Sequence, residues 1–561
     1  MKKNAEAQLR KALDLHKLSK LGEAEQIYKS VLQNDPKNPD ALHLLGVVLM
    51  ARGELARAQE LMVRAIKIKG NDAAYFSNLG IVLKDQGAFS AALGSFDQAI
   101  KLQPEYPEAF CNRGLALASL GRNEEALDHY DTAIKFRSNY AAAYSNRGVL
   151  LQSMGRLDDA VNSFRKAIAA DPTFADGLSN YGALLRRLRR YDESLKVYNG
   201  ALRVNPKLLE AYQGRGELLA EMGRIKEALA DFDRALTIKP KYADALWGKS
   251  FTYLSSGDFS NGWNLYETRF DQSNKQCSTL TTDRPKWTPN TTPNTLLVWS
   301  EQGVGDEIFF SQWLDTAFDL ARQIVVAVDE RLLPLYRRSF PNIEFIDKVN
   351  GVRSANFDAH LPMGSLPYSR ISQNKDWLVE NRKPYLKPDT ARSQEIRKSI
   401  LGVNDKLIGI TWKSTRPSIG PDKSLNLADF DPIFKIPGLG FVNLQYGDTA
   451  DEINRLSAEK GIQVRNVPDV DNWSALDDHA ALIAACDELV LVCNATAHIA
   501  GAMGKHAYVL TPKGKSLIWY WANRNGSRNY WYNSIEPIDQ TYEDLSWTSA
   551  INELAQRLKR A

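Results

Sequence analysis

The apolar positions along the chain follow two different rules. In the first half they recur at helical spacing in paired amphipathic segments, and the pattern returns every 34 residues. Gly46, Gly80, Gly114, Gly148, Gly182 and Gly216 share one register, and Ala24, Ala58, Ala92, Ala126 and Ala160 share another. Proline falls in a third, at Pro36, Pro104, Pro172, Pro206 and Pro240. Small residues at two fixed positions let paired helices approach closely, and a unit this short buries its apolar face only by stacking on its neighbours. The spacing predicts seven full helix-pair repeats from about Ala5 to Tyr242. An altered last repeat runs through Phe270, with Gly262-Trp263 where a small residue is usual.

From Asp271 to Asn294 the pattern stops in a stretch rich in threonine and proline, read as a linker over 271–294. Beyond it the runs are short and continuous: Leu296–Trp299, Ile324–Val328, Ile408–Trp412, Phe441–Leu444 and Leu489–Val492. Helical patterns such as Asp306 to Arg322 and Ala475 to Cys486 lie between them, so parallel, doubly wound sheets are expected. A break near Lys383 to Asp405, with Pro384 and Pro388, divides the region into Rossmann-like halves over 295–390 and 391–561. The fold class read from these patterns is an α-solenoid over 1–270, a right-handed superhelix, followed by an α/β domain of two such halves.

Candidate chemistry sits where strands give way to helices. Leu489–Val492 leads through Cys493-Asn494 into a helix that carries Thr496 and His498 and ends at Gly504. Such a turn aims free N–H groups and a positive dipole end at a phosphate. His498 is a candidate general base, and equally a phosphate donor or a cap. Gly303, Gly305 and Asp306, in the motif after the strand at 296–299, allow close approach of a ligand and place a carboxylate at a helix start. Lys413 and Ser414 follow the strand at 408–410, with Lys423 in the same loop. Lys513 follows the run at 507–510. Trp519–Trp521 and Tyr530–Tyr532 offer an aromatic wall, for a base or sugar face or for packing against the repeats. Asp469-Val470-Asp471 is formally a metal-binding DxD but is read as a loop, and no metal is assigned. In the repeats, Asn78, Asn112, Asn146 and Asn180 recur two residues before the glycine. Their amides either hydrogen-bond the backbone of an extended acceptor peptide or tie neighbouring repeats together.

Composition narrows the classes. Charged residues are 25% of the chain and the net charge is only +4, which gives nucleic-acid binding no bulk support. The N-terminus runs straight into a helical pattern and no later window is long and apolar enough to span a bilayer, so a cytoplasmic protein without membrane insertion is expected. The four cysteines, Cys111, Cys277, Cys486 and Cys493, are scattered and show no CxxC spacing, which argues against zinc or a disulfide framework.

The 34-residue period resembles the tetratricopeptide repeat, and the asparagine register resembles the repeat domain of the O-linked N-acetylglucosamine transferases. The ladder breaks here at Leu44 and Gly214. Taken together, Glu301–Asp306, His360–Pro367, Trp412-Lys413-Ser414, Asn443–Asp448 and Asn494–Gly504 resemble bacterial proteins that fuse such repeats to a heptosyltransferase-like glycosyltransferase domain of GT-B architecture. Members of that group include flagellin glycosyltransferases. The resemblance implies an inverting, metal-independent protein O-glycosyltransferase with a nucleotide-sugar co-substrate and no further cofactor. Asp306 would be the base. Lys413, Ser414, Thr496 and His498 would hold the donor phosphates, with Trp412, Gln445, Tyr446 and Asn494 at the same site. Many relatives carry aspartate where this chain has Cys493. Two alternatives stay open: a lipopolysaccharide or other glycan as acceptor, with the repeats recruiting a partner, or a binding scaffold whose transferase domain has lost activity. An oligomer is compatible with either.

Overall fold

The computed structural model describes residues 2–272, 277–373, 383–400, 406–415, 419–541 and 546–560. Helix pairs fill residues 5–270, and parallel-sheet α/β elements follow. The chain divides into two compact units, Met1–Arg215 and Gly216–Ala561.

In the first unit, helices of 13 residues such as Ala73–Asp85 alternate with helices of 14 such as Phe89–Leu102. The glycine register is the contact between them. Each glycine meets the large side chain 16 positions on: Met62 for Gly46, Phe96 for Gly80, Tyr130 for Gly114, Phe164 for Gly148 and Tyr198 for Gly182. A Cβ on Gly80 would lie 2.5 Å from the Phe96 ring, which is fully buried. Gly80→Ala should therefore cost about 1–2 kcal/mol, an overpacking penalty of about 1–3 kcal/mol offset in part by better helix propensity. Gly94, in the partner helix, has no atom near its missing Cβ. Gly94→Ala should raise stability by about 0.5–1 kcal/mol. Equal signs for the two variants in denaturant titrations would contradict this packing account.

The asparagines also find partners. The Asn78 amide meets His43 Nε2 at 2.8 Å, Asn146 reaches Cys111 Sγ at 3.4 Å, and Asn180 reaches Ser145 Oγ at 3.4 Å. Each partner lies 35 positions back, in the preceding repeat. Of the two readings of the ladder, the tie between neighbouring repeats is the one these bonds make. One N–H of each amide is thus engaged, so an acceptor-peptide role for Asn78, Asn146 and Asn180 would fall to the second N–H and the carbonyl oxygen. Asn112 is half-buried in the same register.

The second unit holds two parallel sheets. The first contains β1 (Thr295–Trp299), β2 (Gln323–Val328), β3 (Glu344–Asp347) and β4 (Ala359–Pro362) in the order β3-β2-β1-β4. The second contains β5 (Lys406–Ile410), β6 (Leu439–Asn443), β7 (Val464–Arg465), β8 (Glu488–Val492), β9 (Ala507–Thr511) and, after a small ribbon of β10 (Arg524–Asn525) and β11 (Arg528–Asn529), β12 (Ile535–Asp539). Its order is β12-β9-β8-β5-β6-β7. This is the doubly wound order, with the strand direction of travel reversing between β5 and β8, and between β1 and β4 in the first sheet.

Two expectations change here. The helical pattern from Asp306 to Arg322 is a short α-helix, Val304–Phe310, that tightens into a 3-10 stretch over Ser311–Asp319. The segment read as a linker is laid against the first sheet over its described part. Ser278 N–H donates to Glu301 O, Trp287 N–H donates to His360 O, and His360 N–H to Pro285 O, with Trp287 buried. The last repeat joins the same core. Trp263 is fully buried, edge-on to Trp313 and Trp519, and Asn523 donates to the carbonyls of Leu254 and Ser255. Gly262 keeps the small residue of the register, and Trp263 stands where five other repeats carry Leu93, Leu127, Val161, Leu195 and Leu229, packed on the α/β domain.

Candidate functional site

Parallel strands present their C-terminal ends to a common crevice where the strand order reverses. Here a cleft of about 510 Å³ lies between the two sheets. The loop after β1 contributes Gly303, Gly305 and Asp306. The loops after β2 and β3 contribute Asp329, Arg331 and Lys348. The second sheet contributes Ser414, Thr415 and Lys423 after β5, Tyr446 after β6, and Asn494 and Thr496 after β8. Two helices meet across it: a Cβ on Gly305 would stand 3.1 Å from His498 Cδ2, a tight contact that the absence of a side chain relieves.

Helix Ala495–Ala502 opens on Asn494, whose Oδ1 accepts from Ala497 N–H at 3.3 Å. Thr496 is held from behind. The Asn472 amide donates to the carbonyls of Asn443 and Gln445, which turns its Oδ1 toward His479 Nδ1 at 2.9 Å. His479 Nδ1 thus carries the proton, and Nε2 is left to accept from the Thr496 hydroxyl at 3.1 Å. Burial pushes the His479 imidazole down to about 4, consistent with a neutral ring. The hydroxyl proton of Thr496 is spent on that ring. What the turn offers a ligand is backbone N–H.

His498 lines the cleft, but its surroundings make it a poor general base. Burial, reinforced by Lys423, pushes its imidazole down to about 3. It is 2% exposed, its Nδ1 meets Tyr532 OH at 3.0 Å, and Tyr520 and Trp521 enclose the ring. A ring so shifted is neutral near pH 7 but has little affinity for the proton of an attacking hydroxyl. Asp306 keeps its place in the cleft, where Tyr520 OH donates to its Oδ1 at 2.9 Å.

Several donor-site assignments separate by side-chain direction. Lys413 does not line the cleft; its Nζ meets Glu452 Oε2 at 2.5 Å. Trp412 is fully buried and gives its indole N–H to the same carboxylate. Gln445 is structural: its Oε1 accepts from the N–H of Trp412 at 3.0 Å and of Lys413 at 2.8 Å, which straps the loop after β5. Lys513 pairs with Asp539 at 3.2 Å and also lies outside the cleft lining. Gly303, Gly305, Ser414, Lys423, Tyr446, Asn494 and Thr496 do line it. Lys423, 3% exposed, is the lysine that the loop after β5 brings to the cleft.

Sequence reasoning passed over Arg331 and Trp473. The Arg331 guanidinium stacks on the exposed Trp473 ring at 4.6 Å and donates to Trp473 O at 3.2 Å, while Tyr446 lies 5.5 Å from the same ring. Their signal is weak, since single residues after strands β2 and β7 carry no motif. The aromatic wall divides: Trp519 and Trp531 pack on the last repeat, and Tyr520 and Trp521 face the cleft. Asp469 is bound to Arg392 and Asp471 caps the turn at Trp473-Ser474, so the DxD is a loop with its carboxylates engaged. Cys493 is buried and donates to Leu510 O, and burial pushes its thiol up to about 12. It brings no charge to the helix end.

The fold and cleft define a repeat array joined to an α/β domain with a doubly wound crevice. Models described as "TPR repeat" match residues 82–121 and 114–155, and models described as "Tetratricopeptide repeat" match 15–79, 141–174 and 173–241, which makes the N-terminal half a tetratricopeptide-repeat array. Protein FlbA of Caulobacter vibrioides is 29% identical over 308 residues, covering 50% of this chain. The chain spans about half the length of that relative, 49%. Among solved structures, a tetratricopeptide repeat protein from Parabacteroides merdae is 18% identical with a TM-score of 0.38, over 45% of this chain and 99% of that one. Yeast Tom70 is likewise 18% identical with a TM-score of 0.38, over 45% of this chain and 55% of its own. Among the described residues no helix is long and apolar enough to cross a membrane.

Proposed function

We propose that the chain is a protein O-glycosyltransferase of GT-B type, inverting and metal-independent, that moves a sugar from a nucleotide donor to a serine or threonine of a protein recruited by the repeat array. Flagellin is the acceptor known among the proteins it resembles. The observation that carries this reading is the convergence, on one crevice, of the N–H groups of Ala495 and Thr496 at a helix start, the Lys423 ammonium and the Asp306 carboxylate. A helix N-terminus with a lysine beside it suits a leaving phosphate. Asp306 lies on the opposite wall, where a hydroxyl acceptor would give up its proton, and attack from that side inverts the anomeric centre.

Thermal unfolding of the purified protein against UDP, GDP, ADP, CMP and their sugars tests the donor site. A ligand at a hundred times its dissociation constant should stabilise the folded state by roughly 2.7 kcal/mol. The midpoint shift should vanish in Lys423→Ala and survive in Lys413→Ala, whose side chain is held by Glu452. The reverse order would mean that the loop after β5 presents the other lysine to the donor. No shift with any nucleotide would favour a repeat scaffold whose α/β domain does no transfer.

A further inference from the structure

The array departs from its own pattern at one place, between its helices Leu157–Ala170, Ala175–Arg187 and Tyr191–Val204. A groove of about 540 Å³ opens there, floored by Ile168, Leu178 and Val197. Gly200 makes the opening. At the same register the other repeats carry Ser30, Arg64, Gln98, Thr132, Lys166 and Arg234, so a side chain is absent at this repeat alone. Charge changes at the same spot. Asp97, Asp131 and Asp233 hold the position that Arg165 occupies here, and there they pair with Arg113, Arg147 and Lys249. In the repeat just before that of Gly200 the pair is replaced by Arg165 donating to Tyr181 OH at 3.3 Å, and in the repeat of Gly200 by Arg215 donating to Asn199 Oδ1 at 2.6 Å. Lys196 stands where the other repeats have Gln26, Glu60, Gly94, Asp128, Asn162 and Ala230. With Arg203 on the rim, three exposed cations surround an aliphatic floor, and the one acid there, Glu193, is already bound by Arg190 at 2.5 Å.

We propose that this groove is a docking site for an acidic, aliphatic segment of a partner protein: leucine-like side chains fill the space that Gly200 leaves, and carboxylates meet Arg165, Lys196 and Arg203. The groove lies within the first unit, and the inference stands apart from the sugar-transfer reading.

Fluorescence anisotropy of the full-length protein tests it, with two short labelled peptides, one of alternating leucine and glutamate and one of alternating leucine and lysine. Gly200→Arg is the main variant. It restores the residue found at positions 64 and 234, and a Cβ at Gly200 meets only Leu178, at 4.0 Å, so the fold is kept. The glutamate peptide should bind the native chain and lose about tenfold or more in affinity both in Gly200→Arg and in the charge reversal Lys196→Glu/Arg203→Glu. The lysine peptide should gain in the reversal. Equal binding of both peptides, binding indifferent to Gly200→Arg, or none at millimolar glutamate peptide would overturn the proposal. So would light scattering that showed a dimer dispersed by Gly200→Arg, since the groove would then hold a second copy of the chain.

Discussion

Asp306→Asn should lower kcat for sugar transfer by about 10²–10⁴-fold, the usual worth of a positioned general base, while leaving the nucleotide-induced thermal shift intact. The substitution is nearly isosteric. Tyr520 OH donates to Oδ1 at 2.9 Å, and an asparagine oxygen accepts that bond equally well, so the loop after β1 keeps its shape. What is lost is a carboxylate able to take the proton of an attacking hydroxyl. Donor binding depends on the opposite wall, on Lys423 and the N–H groups of Ala495 and Thr496, and is therefore separable. A variant that transfers sugar at the native rate would remove Asp306 as the base. Loss of the thermal shift along with turnover would show instead that Asp306 holds the donor. Steady-state kinetics beside the melting series distinguish the two.

The division between what sequence revealed and what it hid follows from what each signal depends on. The repeat register was legible because a 34-residue period is imposed by backbone approach: glycine at 80, 114 and 148 leaves room for one ring each, and no other residue does. Strands β1, β2, β5, β6, β8 and β9 were legible as continuous apolar runs, since strands covered on both faces show no alternation. The two-residue β7, the four-residue β3 and the edge strand β12, which contains Pro537, have too little of that signal. The position of the cleft was legible from topology alone. Side-chain direction was not. Lys413 and Lys423 are both lysines in one loop, and only the distant Glu452 decides that the first turns away. Nor could spacing show that Gln445 straps the loop, or that Thr496 has its proton taken by a histidine 17 residues earlier. The role of Trp263 failed to appear for a related reason: a residue foreign to the repeat pattern takes its meaning from the surface it meets, here Trp313 and Trp519.

That same junction holds the groups on which stability should depend most. Arg269 is fully buried where the last repeat meets the first sheet. Its guanidinium donates to Glu301 Oε1 from Nε at 3.1 Å and Nη2 at 2.9 Å, to Glu267 Oε1 at 2.8 Å and to Ser365 Oγ at 2.8 Å. Glu301 is itself only 3% exposed. Arg269→Met should therefore cost about 3–5 kcal/mol, chiefly by leaving that carboxylate buried and uncompensated. Adding Glu301→Gln should return part of the loss; a double variant as unstable as the sum of the singles would mean that packing, not charge, is what the arginine supplies. The pH dependence has a definite sign. Burial alone would raise the Glu267 carboxyl, but Arg269 and Lys286 outweigh it and hold the group at about 2, against 4.5 for an unperturbed glutamate. A depressed folded value contributes stability that is complete above pH 4.5 and is lost as the pH falls toward 2. Acid titration of the unfolding midpoint should accordingly steepen over that window in the native chain and flatten in Glu267→Gln.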